Sequence, residues 1–212
     1  MIGDARLFDS RRGRLSFREL MVLDEHPVTG YYGALVGQKK EIASHGIEPP
    51  FFAQYRKLRE RFGSEGEFKK AFPGMSMEKK AYEVASNFFP LYKYSGLERD
   101  PAYLNELNFL VFGVPISLDL DCAARHACAA EGMGGMVIAV EVDKPYSRIE
   151  SVRSGCDDTV LLVQGVIGLE GKLRGVYYSE GAKKYKDELD AAFSRFNTDI
   201  SPLSEVSPRQ GV

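Results

Sequence analysis

The sequence has no tryptophan and only three cysteines, Cys122, Cys128 and Cys156. An odd and sparse cysteine count does not predict a disulfide framework, so a chain of 212 residues must rely on a hydrophobic core. Two of the cysteines flank His126, but this spacing matches no zinc pattern and no fourth ligand follows. We therefore expect buried small residues here, no metal site, and a reducing, cytoplasmic compartment.

Long apolar runs are also missing. No stretch approaches the roughly 20 apolar residues that a membrane helix needs, and the first 17 residues lack the apolar core of a signal peptide. The formal net charge is only −2, which provides no argument for a nucleic-acid or membrane partner. The glycine cluster "GMGGMV" lacks the strand before it and the helix after it that a dinucleotide-binding fingerprint requires. We expect a protein that does not associate with membranes.

Glycines and prolines divide the chain into segments with recognisable periodicity. Predicted strands cover 29–34, 107–114, 136–143, 159–167 and 172–179. Predicted helices cover 16–25, 38–46, 118–131 and 181–196, together with a helical insertion at about 51–92. The later strands are too close together for helical crossovers, so the order favours an α+β fold. Residues 1–200 are predicted to form a single domain, followed by a flexible tail at 201–212.

The segment "VPISLDLDCAARHAC" contains a corner between an extended run and an alanine-rich helix. Ser117 or Asp119 can cap this helix, because either side-chain oxygen can accept a bond from a free backbone N–H. Asp119 and Asp121 also suit the positive end of the helix dipole. The small residues of the helix would let it lie close against a sheet.

Three segments carry a resemblance to a known family. They are "YYGALVGQKKEIASHGIEPP", "VPISLDLDCAARHAC" followed by "MVIAVEVD", and "DDTVLLVQGVIGLEGKLRGVYY". In this order they resemble the core of the ADP-ribosyltransferase fold, over about residues 28–50 and 107–178. The resemblance implies two packed, mostly antiparallel sheets around a cleft, with the helical insertion in the region where family members vary.

The same resemblance implies a set of NAD-binding residues. Tyr32 falls where the family has Arg or His, Tyr31 and Gly33 match the neighbouring Tyr and Gly, and Ser117 matches the second motif. A tyrosine hydroxyl can bond to a ribose but cannot neutralise a pyrophosphate. Tyr32 is therefore a departure from the family pattern.

A catalytic acid is implied by the third segment, where Asp157 or Asp158 falls at the position of the family's glutamate. A carboxylate there would stabilise the positive charge that develops on the ribose when the bond to nicotinamide breaks. For transferase activity we expect Tyr32, Ser117 and Asp158 to point into one cleft.

The functional prediction is NAD-dependent ADP-ribosyl transfer to a macromolecular acceptor, either protein or nucleic acid. One alternative is a catalytically degenerate binding or interaction module on the same fold. Others are an RNA 2′-phosphotransferase and an unrelated α+β protein whose strands mimic the pattern.

Overall fold

The computed structural model describes residues 16–22, 27–89, 101–128, 134–144, 146–153 and 156–206. Its strands are β1 Ser16–Val22, β2 Val28–Leu35, β3 Gly113–Ser117, β4 Gly135–Val142, β5 Tyr146–Arg153, β6 Cys156–Gln164, β7 Leu173–Tyr178 and β8 Ile200–Pro202. Within these ranges, all eight belong to one sheet, in the order β1-β5-β6-β3-β2-β4-β7-β8. β2 pairs antiparallel with β3 and β4, whereas β7 and β8 are parallel.

The α-helices of the described ranges are α1 Lys39–His45, α2 Pro50–Phe62, α3 Glu65–Ala71, α4 Met77–Ser86, α5 Pro101–Phe112, α6 Leu120–Cys128, α7 Lys186–Phe193 and α8 Leu203–Val206. Short 3-10 helices cover Val36–Gln38, Glu180–Tyr185 and Ser194–Phe196. The chain forms two compact units. The first comprises Met1–Ile47, Pro115–Val163 and Ile167–Val212, and the second comprises Glu48–Val114 and Gln164–Val166.

The mixed α and β content agrees with the predicted fold class, but the expected pair of packed sheets is wrong. β3 lies between β6 and β2 and joins the strands on either side of it into one sheet. The link to β2 is short, with Tyr31 and Ser117 as the register partners. Periodicity reports which residues of a strand share a face, whereas sheet membership depends on hydrogen bonds to distant strands.

Two predicted elements have the wrong type. Residues 107–112, predicted as a strand, belong to the helix α5, and the strand β3 begins only at Gly113. A short apolar run fits a buried helix as well as a strand, and Pro101 at the first helical position was the local signal for a helix. Residues 16–22, predicted as a helix from a capping-box pattern, form β1 because their backbone pairs with β5.

The strands β2, β4, β6 and β7 confirm the predictions within a few residues at their ends, and so do α1 and α6. Gly46 ends α1 with a φ of 82°, a conformation that glycine adopts without strain. Residues 200–206, most of which fall in the predicted flexible tail, form β8 and α8, which corrects the boundary of that tail. Predicted positions 129–131 and 207–212 lie outside the described residues.

Helix α6 packs against the sheet where the strands carry glycine. Ala123, Ala124 and Ala127 are buried on its inner side. A Cβ at Gly33 would lie 2.4 Å from the carbonyl oxygen of Ala123, and one at Gly135 would lie 2.5 Å from that of Ala127. The helix backbone therefore lies in the space that side chains would occupy on β2 and β4. The expected close approach of this small-residue helix is confirmed.

The second unit has an aromatic core of its own. Phe68 is fully buried and contacts the rings of Phe62 and Phe72 at centroid distances of 5.2 and 4.9 Å. Arg56 donates to Glu48 in a partly buried ion pair with an N–O distance of 2.9 Å. The helices predicted for the insertion are present in the described part of 51–92 as α2, α3 and α4.

Candidate functional site

The strand register brings two of the predicted site residues together. Tyr31 on β2 and Ser117 on β3 are direct antiparallel partners, so their side chains lie on the same face of the sheet. Tyr31 is partly buried and packs against a cluster that includes Ala123 and Ala127 of α6. We call the sheet face that carries Tyr31 and Ser117, and that α6 partly covers, the α6 face.

Tyr32 lies on the opposite face, because successive strand residues point to opposite sides. Its partner on β4 is Ile138, which is fully buried. Gly30 shares this second face, and a Cβ there would lie only 2.2 Å from the Ile116 side chain, the neighbour of Ser117. The register of Tyr31 with Ser117 and the close approach of Gly30 to Ile116 thus both place Tyr32 and Ser117 on opposite faces. The expectation that both point into one cleft is not met.

The hydroxyl of Ser117 is engaged within its own corner. It donates to the carbonyl oxygen of Asp119 at 2.7 Å and accepts from the Asp119 backbone N–H at 3.0 Å. The residue is only 5% exposed. Asp119 is the residue that caps α6, since its carboxylate accepts from the Cys122 N–H at 3.0 Å. Of the two capping candidates, Asp119 contacts the helix, and Ser117 stabilises the turn before it.

Gly33 also lies on the α6 face, but beneath the helix backbone. Its missing side chain is required by the contact with Ala123, which is a sufficient structural reason for glycine at this position. The predicted NAD-binding role of Gly33 stays a prediction.

The two candidate acids lie on β6, which neighbours β3 in the sheet. Asp157 pairs with Val152 and Asp158 pairs with Ser151 in the ladder with β5. Their side chains fall outside the described part of the structure. The catalytic assignment between Asp157 and Asp158 stays a prediction.

A further tyrosine belongs to the α6 face and was missed from the sequence. Tyr177 on β7 packs against the same cluster as Tyr31. The sequence signal was the aromatic end of the predicted strand 172–179, but "VYY" gives no indication of which tyrosine shares a face with Tyr31. The strand pairing supplies that information. Val137 on β4 pairs with Gly33 of β2 on one side and with Tyr177 of β7 on the other, so Tyr177 shares the face of Gly33 and Tyr31.

The tyrosine hydroxyls differ in their surroundings. Burial raises the pKa of Tyr32 above its ordinary value, as expected for a phenol on an apolar face. Burial also raises the pKa of Tyr177, and the nearby groups Tyr31 and Asp199 raise it further. The upward shifts keep both hydroxyls protonated at neutral pH, which is the form that can donate a hydrogen bond.

The described ranges contain no group of three or more His, Cys, Asp or Glu side chains that could hold a metal ion. Cys122 is a buried cysteine whose sulfur accepts from the Arg125 guanidinium at 3.4 Å. None of the helices in the described ranges is long and apolar enough to span a membrane.

No protein-family model, curated protein or solved structure matches this chain. The likeness to ADP-ribosyltransferases therefore rests on the residues of the three segments and stays a prediction.

Proposed function

We propose that this protein is an NAD-dependent ADP-ribosyltransferase that acts on a macromolecular acceptor. The observation that supports the proposal is the order of three strands. The motif-bearing strands β6, β3 and β2 are consecutive in the sheet although they are far apart in the sequence. The register of Tyr31 with Ser117 then sets the first two motifs side by side on the α6 face.

The proposed site differs from the sequence-based site in one residue. Tyr31, which shares a face with Ser117, takes the position expected of Tyr32 as the hydroxyl that bonds to the ribose. Ser117 holds the turn that leads into α6. The groups present suit the ribose and the aromatic ring of NAD, because a phenol supplies both a donor and a π-face.

The reaction breaks the bond between the ribose C1′ and the nicotinamide nitrogen. The electron pair of that bond leaves with nicotinamide, which becomes neutral, and an acceptor nucleophile forms the new bond to C1′. The carboxylate of Asp157 or Asp158 would stabilise the positive charge on the ribose in the transition state. The acceptor's proton passes to that carboxylate or to water.

The proposal is tested first on the wild-type protein. NAD is expected to raise its melting temperature, and mass spectrometry is expected to detect free nicotinamide when candidate acceptors are present. Heat-denatured protein is the control for spontaneous hydrolysis. Binding of NAD without nicotinamide release would contradict the transferase and favour a binding module.

The face assignment is tested by a pair of matched variants. Tyr31→Phe is expected to weaken NAD binding about fivefold, because the loss of one hydrogen bond costs about 1 kcal/mol. Tyr32→Phe is expected to leave the affinity unchanged, because this hydroxyl lies on the other face. Isothermal titration calorimetry measures both. A larger loss for Tyr32→Phe would contradict the choice of the α6 face.

A catalytically degenerate binding module is the second candidate. Two observations favour it: the Ser117 hydroxyl is occupied by Asp119, and Gly33 lies beneath α6. Both residues therefore have structural roles that leave less of their surface for a ligand. The nicotinamide measurement separates this candidate from the transferase.

A further inference from the structure

The second unit carries a second group of aromatic side chains, and this group reaches the surface. The rings belong to α2, α4 and α5 and are those of Phe51, Phe52, Tyr55, Tyr82 and Phe112. Each of them is half-buried or exposed, and Phe52 is 37% exposed. The core around Phe68, in contrast, closes over a fully buried ring. We call the five half-buried and exposed rings the aromatic surface.

The rings of the aromatic surface hold one another in place. The ring centroid of Phe112 lies 4.7 Å from that of Phe51 and 6.0 Å from that of Tyr82. The rings of Phe51 and Tyr55 are nearly parallel, with an angle of 9° between their planes. The Tyr82 hydroxyl donates to the side-chain oxygen of Asn108 at 2.7 Å, which fixes the orientation of this ring. The surface is therefore ordered by contacts within the second unit.

Helix α2 adds positive charge beside these rings. It contains four cationic residues and a single acid, Glu60. Arg56 is committed to ion pairs with Glu48 and Glu60. Arg59 is exposed and lies one helical turn after Tyr55, on the same side of the helix. Within the described ranges, no acidic group lies at ion-pair distance from the Arg59 guanidinium.

Helix α4, which packs against α2, repeats this arrangement. Lys79 is exposed and lies three residues before Tyr82, on the same side of the helix. Its ammonium group has no acidic partner among the residues that the structure describes. The next residue, Lys80, is paired with Glu83 and lies over the Phe72 ring. Each of two packed helices thus places one uncompensated cation within a turn of an aromatic ring.

We propose that the aromatic surface, together with Arg59 and Lys79, binds single-stranded nucleic acid. Unpaired bases can stack on the accessible rings, and the phosphates that join them complement the two cations. An acidic peptide would pair with the cations but would leave the rings in water. An apolar partner would cover the rings but would bury unpaired charge. The binding does not depend on transferase activity, so it is measured without NAD.

The experiment uses fluorescence anisotropy with a labelled oligothymidine of about 12 nucleotides, a length within the range of single-strand binding sites. Phe52→Leu keeps an apolar side chain but removes the ring, and it is expected to weaken binding about tenfold, as loss of one stacked base predicts. Phe52→Tyr keeps the ring and is expected to bind more tightly than Phe52→Leu. Circular dichroism checks that both variants are folded. The duplex with the complementary strand is expected to bind more weakly, because its bases already stack on one another.

The dependence on salt separates the cations from the rings. Arg59→Ala is expected to reduce the slope of log affinity against log salt by about 0.7, the effect of one phosphate contact on a single strand. Phe52→Leu is expected to keep the wild-type slope, because stacking releases no counterions. Arg61→Ala is the matched control, since Arg61 is exposed on the same helix but lies about 200° around it from Arg59. This variant is expected to keep the wild-type slope.

Three results would overturn the proposal. The first is no binding of oligothymidine at about 50 mM salt, where phosphate contacts are strong. The second is an equal reduction of the slope in Arg59→Ala and Arg61→Ala, which would indicate general attraction to α2. The third is binding of polyglutamate as tightly as oligothymidine, because polyglutamate carries the charge without bases and would assign the surface to an acidic protein.

Discussion

The Asp158→Asn variant is expected to release nicotinamide from NAD about one hundredfold more slowly than the wild-type protein. Loss of one group that stabilises transition-state charge costs about 3 kcal/mol. Asparagine is nearly isosteric with aspartate, so the β6 strand and its ladder with β5 are expected to remain. NAD affinity should change much less, because the charge that the carboxylate stabilises develops mainly in the transition state. Single-turnover kinetics with mass detection of nicotinamide measures the rate.

Asp157→Asn is the internal control for this variant. The two acids are consecutive on β6, and the alternation of side chains along a strand predicts that only one of them can serve the site. A large loss for Asp157→Asn with none for Asp158→Asn would keep the mechanism and move the catalytic assignment by one residue. Full activity in both variants would remove the carboxylate from the mechanism.

Gly33→Ala is expected to lower the free energy of unfolding by about 3 kcal/mol, the upper end of the range for overpacked sites. The new Cβ would lie 2.4 Å from the Ala123 carbonyl oxygen and 3.1 Å from the Ala127 nitrogen. Both are backbone atoms of α6 and cannot rotate away, so the helix must shift from the sheet. Urea denaturation followed by circular dichroism measures the change in unfolding free energy.

The control for this prediction is Gly37→Ala. A Cβ at Gly37 would meet no heavy atom within 4 Å, and this position lies in the 3-10 helix that follows β2. Its unfolding free energy is expected to stay within about 0.5 kcal/mol of the wild-type value. Equal losses in the two variants would contradict the close approach of α6 to β2.

Most of the first unit's local elements could be predicted from the sequence because their signals are local. The apolar runs of β2, β4 and β7 are bounded by glycines or turn residues, and Asp119 is a capping residue at the start of α6. The alanines of α6 predicted its close approach to a sheet. The glycines that it contacts were identified only from the structure. The main local failures were 107–112 and 16–22. In both segments the pattern suited a helix as well as a strand, and pairing or packing with other segments decided between the two.

The candidate site was only partly predictable, for a reason of geometry. The resemblance selected residues on two strands that pair, and Tyr31 and Ser117 are register partners between them. It could not separate the two tyrosines, because a register shift of one residue exchanges the faces of a strand. Tyr177 was missed because it joins Tyr31 only through the ladders of β4 with β2 and β7.

The sequence by itself determined which segments become strands and helices where the periodicity was clear, and where glycine ends α1. It also determined the residue types available for chemistry: tyrosine hydroxyls, a serine corner and an acidic pair. Only the tertiary structure decided that the strands form one sheet in the described ranges, that Tyr32 and Ser117 lie on opposite faces, and that Gly33 lies beneath α6. The physical reason is that these properties depend on hydrogen-bond register between segments distant in sequence, and no short stretch of the chain encodes that register alone.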